Sequence, residues 1–182
     1  MTVETHVYKF SELSDDAKER ARDKYREDSE MFTDFCYEQF ETAAAILGID
    51  ITETRTRKSH KNANEMVTYT ANTIQWSGFS SQGDGASFTG RFTYVPGCTE
   101  AIRKEFPTNT TLHGIADALM VMQCTHILKS GSCEPLSGTV THSGREVHKY
   151  SMDATIQDSE GNELDWDDPI TKKFLELMRD FA

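Results

Sequence analysis

The feature that most limits what this chain can fold into is alternation. From Thr68 to Phe79, from Ala86 to Val95 and from Leu136 to Gln157, apolar and polar residues alternate, and the runs break at Gly-bearing turns. Period two marks half-buried strands, because successive side chains point to opposite faces of a sheet. Ile74 and Trp76 share a face before Ser80-Ser81-Gln82-Gly83-Asp84-Gly85, and Phe88, Phe92 and Tyr94 share one after it, with Gly90 between them. Asp-Gly is a favoured hairpin turn pair, so these two runs are expected to fold back on each other. A second hairpin is expected from Leu136–His142 through Ser143-Gly144-Arg145 into Glu146–Gln157. Its second strand places His148, Tyr150, Met152, Ala154 and Ile156 on one face. Short strands are also expected at Val3–Phe10 and Ile49–Arg57.

Elsewhere the period is helical. Ser14 stands where a capping hydroxyl belongs, followed by Asp15 and Asp16 at the positive helix end. Leu13, Ala17, Ala21 and Tyr25 make a narrow apolar stripe. A second helix is expected over about 33–47, with Phe35, Cys36, Phe40, Ala43 and Leu47 inward and Gly48 as its stop, so that the two form an αα-hairpin. A short helix at 99–106 precedes a longer one at 109–129 with Leu112, Ile115, Leu119, Met122 and Ile127 inward. The chain closes with a helix over 167–181, striped by Trp166, Ile170, Phe174, Leu177, Met178 and Phe181. Together these predict one α+β domain over residues 1–182. An antiparallel sheet of about five or six strands carries its helices mainly on one face.

A chain of 182 residues buries enough surface to need no covalent staple. Cysteines at 36, 98, 124 and 133 form no CxxC pair, so zinc-ribbon spacing is absent and reduced thiols are expected; a Cys124–Cys133 disulfide is the alternative. No apolar run reaches the ~18–20 residues of a membrane span, and the Met1-Thr2-Val3-Glu4-Thr5-His6 start has no secretory pattern. The formal charge is −11 and unevenly spread. Residues 1–50 carry 13 acids and 6 bases, residues 153–182 carry 9 and 3, and the middle carries 8 and 10. Such a field repels nucleic acid and favours basic partners.

Three groups of residues are candidate sites. The first is the Gly-rich turn: Gly83 and Gly85 let the backbone turn sharply and present N–H groups, and Gln82, Asp84 and Ser87 supply polar side chains. The turn matches neither GxGxxG, a Walker loop nor GxSxG, so no catalytic residue is assigned. The second is an acidic surface of Asp15, Asp16, Glu19, Asp23, Glu27, Asp34 and Glu38, with Asp28, Glu30 and Glu41 beside them and a second run at Glu163, Asp165, Asp167 and Asp168. Lys18, Arg20, Arg22, Lys24 and Arg26 interleave with the first run, which points to intrahelical pairing and weakens a reading as a DNA mimic. The third is the pair His142 and His148 flanking the second turn. Two histidines there are polar strand positions before they are metal ligands, and no metal or cofactor is expected. Arg55, Arg57, Lys58, His60 and Lys61 form one basic run, read as a solvated loop.

The segment Lys9-Phe10-Ser11-Glu12-Leu13-Ser14-Asp15-Asp16-Ala17-Lys18-Glu19-Arg20-Ala21-Arg22-Asp23-Lys24-Tyr25-Arg26 resembles the opening of a group of uncharacterised tailed-phage proteins. Their Gly-rich hairpin is similar to Trp76-Ser77-Gly78-Phe79-Ser80-Ser81-Gln82-Gly83-Asp84-Gly85-Ala86-Ser87-Phe88, and some are labelled antitoxins. The resemblance covers about a third of the chain in two blocks. It implies a phage or prophage gene acting in a bacterial cytoplasm, in a class that includes anti-defence factors such as CRISPR nuclease inhibitors. The expectation is therefore a protein that binds and blocks a host protein with a basic, nucleic-acid-handling surface, with no direct contact to nucleic acid or membrane. The alternatives are an antitoxin that neutralises a partner toxin, and an enzyme or small-ligand binder that uses the Gly83-Asp84-Gly85 loop.

Overall fold

The computed structural model describes residues 8–58, 66–78, 84–144, 147–158 and 160–182, apart from the side chains of 25–34. The order is a 3-10 turn at Phe10–Glu12, α1 (Asp15–Leu47), β1 (Ile49–Asp50), β2 (Thr52–Lys58), β3 (Met66–Asn72), β4 (Gln75–Trp76), β5 (Ala86–Ser87), β6 (Gly90–Thr93), α2 (Cys98–Glu105), α3 (Thr110–Ser130), β7 (Ser137–His142), a 3-10 turn at Lys149–Ser151, β8 (Met152–Gln157) and α4 (Pro169–Phe181). The chain divides into two compact units, Met1–Glu41 and Thr42–Ala182.

In the first unit the expected αα-hairpin is corrected to a single helix. α1 runs unbroken for 33 residues, about 50 Å at 1.5 Å per residue. No Gly or Pro lies between Ser14 and Leu47, so nothing stops the first helix before the second begins. The Ser14 hydroxyl accepts from Ala17 N at 3.3 Å, as expected of a cap. Ala21, Phe35 and Cys36 are exposed, whereas Leu13, Ala17 and Phe40 are half-buried and Ala43 and Leu47 are buried, so the expected stripe is an inward face only toward the C-terminal end of α1. Phe10 belongs to the 3-10 turn and not to a strand; the rest of that expected strand falls mostly outside the described residues.

The second unit is built on a four-stranded antiparallel sheet in the order β1-β6-β7-β8. Register puts Ile49, Phe92, Gly138, Val140, Met152, Ala154 and Ile156 on one face, and all seven are buried. Phe174 of α4 meets Phe92 at 4.9 Å between ring centroids, and Phe181 meets Phe88 edge-on at 5.7 Å. The opposite face is polar. Arg91 donates to Asp50 at 3.0 Å, Thr139 and Thr155 pair at 2.7 Å, and Ser137 donates to Gln157 at 3.3 Å. The expected α+β architecture with one helix-bearing face is thus present. The other four strands form two two-stranded sheets, β2-β3 and β4-β5, instead of extending the main one.

Two expected hairpins are corrected in detail. Thr73 ends β3 because its hydroxyl turns inward to Ile51 O at 3.0 Å and also to Thr89 O. Pairing around the Gly-rich turn is thereby confined to Gln75↔Ser87 and Trp76↔Ala86, while β3 takes β2 as its partner. In the second hairpin β7 ends at His142 and β8 begins only at Met152, which leaves His148 and Tyr150 outside the strands. Gly48 is required where α1 gives way to β1. Its φ is +80°, and a Cβ there would stand 2.0 Å from Thr93 O.

The helices follow their sequence signals. Asn109 caps α3 by accepting from Leu112 N at 3.1 Å, and Asp168 caps α4 by accepting from Ile170 N at 2.8 Å. Gln123, buried in α3, donates to Glu134 O at 3.1 Å and accepts from Leu136 N at 2.6 Å, tying that helix to the start of β7. Trp166 is 81% exposed, so the apolar stripe of α4 begins later than its composition suggested.

Candidate functional site

The two segments that stood out in the sequence meet at one corner of the second unit. Ser77 N donates to Gly85 O at 3.1 Å and Gly85 N to Ser77 Oγ at 3.3 Å, closing the Gly-rich turn at its base. Gln82 and Gly83 lie outside the described residues. Gly85 is buried against His148, and a Cβ on it would approach His148 Cδ2 to 3.1 Å. Asp84 is half-buried beside Gly78. Ser87, expected as a contact residue, is buried, and its hydroxyl has no hydrogen-bond partner among the described residues.

Around His148 the corner is cationic and aromatic. Tyr150 N donates to His148 Nδ1 at 3.1 Å, which places the neutral imidazole proton on Nε2. The imidazole stacks on Tyr150 at 5.0 Å between centroids. Lys149 Nζ and Arg179 Cζ lie 5.4 and 5.7 Å from the Tyr150 ring centre. Arg179 also donates to Met152 O at 3.0 Å, and its buried Nε has no partner. His142 Nε2 sits 2.8 Å from Ser151 Oγ, a nucleophile–base distance. That hydroxyl also donates to His148 O at 2.6 Å and accepts from His148 N, so its proton is committed to a turn cap. Among the described residues no group of three or more metal-ligating side chains gathers. Tyr150, expected to share a strand face with Met152, Ala154 and Ile156, is 68% exposed, and Arg179 of α4 lies over its ring, a contact no local pattern signals.

The acidic residues divide into two kinds. At about 100° per residue, Asp16, Glu19, Asp23, Glu38 and Glu41 fall within about 100° of arc on α1, and all are exposed. In sequence the same three-to-four spacing runs on through positions 27, 30 and 34, and α1 holds no basic residue after Arg26. Lys18 pairs with Asp15 at 3.6 Å and Arg22 with Glu19 at 2.9 Å, so the first turns are partly neutralised, as foreseen. The side chains of Glu27 and Asp34 lie outside the described residues. In the C-terminal run Asp168 uses its carboxylate locally, while Asp165 and Glu163 make backbone contacts and expose their side chains. Asp168 caps α4, Asp165 O accepts from Asp168 N at 3.0 Å, and Glu163 bridges to Gln157. Asp167 is simply exposed.

A cleft of about 430 Å³ opens between Thr93, Glu134, Pro135, Ser137, Asp158 and Gly161. Its Asp158 carboxylate accepts from Asn162 Nδ2, Asn162 N and Glu160 N, and the Asn162 bonds hold it below the usual carboxylate range. It holds none of the residues singled out above. The four cysteines form no disulfide with one another, and burial pushes the Cys98 thiol up. No described helix is long and apolar enough to cross a membrane.

Fold and surface together define an α+β protein with an antiparallel sheet covered on one face. Residues 32–182 match the family described as a domain of unknown function (DUF8835), and the chain belongs to that family. No curated protein and no solved structure matches it.

Proposed function

We propose that the protein is a phage- or prophage-encoded acidic binding protein of the bacterial cytoplasm. It engages a basic surface on a nucleic-acid-handling host protein and inhibits it, as an anti-defence factor such as a CRISPR nuclease inhibitor does. The observation that carries the reading is α1: one continuous helix with a row of exposed carboxylates and no basic residue beyond Arg26. A helix of this kind matches a groove that would otherwise hold a phosphate backbone, and it needs no direct contact with nucleic acid. The origin rests on the two blocks that resemble tailed-phage proteins.

Affinity capture from a bacterial lysate at low salt tests it. A basic, nucleic-acid-handling protein is expected, released by about 0.5 M salt as screening shortens the reach of charge. The double substitution Glu38→Lys and Glu41→Lys should release it as well. A capture that returns nothing at low salt contradicts the reading, and recovery of a toxin would move it to an antitoxin.

A second reading, a small-ligand or catalytic site at the Gly83-Asp84-Gly85 loop, is favoured by the packing of Gly85 on His148. It requires that Asp84→Ala change a phenotype of the intact gene; an unchanged phenotype removes it.

A further inference from the structure

The β2-β3 ribbon has two edges, and they differ. Thr73 N donates to Ile51 O at 2.8 Å, so residue 73 turns its backbone toward the neighbouring strand. With period two, Ala71, Tyr69 and Val67 do the same, and Met66, Thr68 and Thr70 direct their N–H and C=O groups to the outer edge. By the same parity Thr54 and Thr56 face outward on β2. Among the described residues no other strand pairs with either edge. Every residue of the ribbon is exposed apart from the half-buried Ala71.

Natural proteins blunt open edges with charge, proline, a bulge or a cover. β8 shows this: Arg179 caps Met152 O, Asp153 caps Ala154 N at 2.8 Å, and Leu164 N donates to Ile156 O at 2.8 Å. β2 carries Glu53, Arg55, Arg57 and Lys58. β3 reads Met66-Val67-Thr68-Tyr69-Thr70-Ala71-Asn72, with no charge, no proline and no glycine. That composition is the one that most readily takes on another strand.

We propose that β3 pairs antiparallel with β3 of a second copy of this chain across a two-fold axis, giving a four-stranded sheet in the order β2-β3-β3-β2. A two-fold contact sets one strand against itself, and an uncharged strand does so with no like charges opposed. Residues 52–72 hold Glu53 and Glu65 against Arg55, Arg57, Lys58 and Lys61, so two copies meeting at the ribbon avoid the opposed negative charge that the two acidic ends of the chain would bring. The two β2 strands then lie three strand spacings apart, about 14 Å, beyond the ~8 Å screening length at physiological salt. A seven-residue edge is a small contact, so the dimer is weak and depends on concentration.

Sedimentation equilibrium of the full chain, from about 10 to 500 µM, tests this, the range being one in which a small interface is populated. A monomer–dimer equilibrium is expected. Thr70→Pro should weaken it at least about tenfold, because it removes an outward N–H while the ribbon's own ladder stays intact. Thr54→Pro makes the same change on the outward side of β2 and should leave dimerisation unchanged. Thr70→Lys, which keeps the backbone, should weaken the dimer as Thr70→Pro does. A monomer at every concentration overturns the proposal. So does an association that Thr70→Pro and Thr54→Pro alter equally, or one that about 0.5 M salt abolishes, since that would be ionic.

Discussion

The four-stranded sheet and the β2-β3 ribbon share a backbone pattern and little else. In β7 and β8 every second residue is buried: Gly138 and Val140 on one strand, Met152, Ala154 and Ile156 on the other. In β2 and β3 no residue is buried. One face of the ribbon is a ladder of Thr52, Thr54 and Thr56 against Asn72, Thr70 and Thr68; the other sets Glu53, Arg55 and Arg57 against Ala71, Tyr69 and Val67. The first sheet has a face of carbon for α4 to cover, and the ribbon has none. Alternation alone therefore marks a strand without saying that it belongs to a core. A ribbon ordered by its cross-strand pairs alone is marginal, which is why its edge chemistry matters more than its faces.

Substitutions can break that contrast. The largest loss is expected at Phe92→Ala, where a buried ring against Phe174 is removed: about 3–5 kcal/mol by denaturant unfolding. Tyr69→Ala in the ribbon should stay within about 0.5 kcal/mol, and a loss comparable with Phe92→Ala would mean the ribbon is part of the core. Gly48→Ala should cost about 2–4 kcal/mol, because a side chain at φ +80° also meets Thr93 O. Asp168→Ala, which removes the α4 cap, should cost about 1 kcal/mol.

The smallest effect concerns pH. Asp50 joins the root of the ribbon to the sheet. It accepts from the Thr52 hydroxyl at 2.6 Å, from Thr52 N at 3.0 Å and from Arg91 at 3.0 Å, and these hold its pKa at about 2. A carboxylate depressed in the folded state stabilises above its unfolded pKa and loses that contribution as pH falls from about 4 toward 2. The side chain is nearly half exposed, so solvent screening limits the effect to about 1 kcal/mol or less. Asp50→Asn should remove that part of the acid dependence, measured as the change in unfolding midpoint between neutral pH and about pH 3.

Much of this fold was legible in the sequence, and the exceptions have physical reasons. The helices α2, α3 and α4 and the alternating face of β8 follow from local periodicity. The single helix α1 differs from the expected αα-hairpin, because two separate apolar stripes, Leu13 to Tyr25 and Phe35 to Leu47, read as two helices. A helix ends where something stops it, and no glycine or proline does. The partner of β3 was missed because neighbouring runs were paired by proximity, whereas the inward hydroxyl of Thr73 cuts the long strand in two. Of the candidate site, Asp84, Gly85 and His148 were each noted, but their meeting is a long-range contact that spacing does not encode. Tyr150 and Trp166 fit an apolar stripe in sequence and are exposed, since an amphipathic aromatic can end a stripe as readily as extend it.

The ribbon stands apart from the core, with the β3 edge open among the described residues. Amide hydrogen exchange at two protein concentrations tests it most directly. With β3 as the pairing edge, the Thr68 and Thr70 amides, open to solvent in dilute solution, gain protection as concentration rises, while those of Thr54 and Thr56 do not change and those of β7 and β8 are protected throughout. Equal protection of both ribbon edges at every concentration, or a ribbon as protected as β7 and β8 in dilute solution, would contradict it.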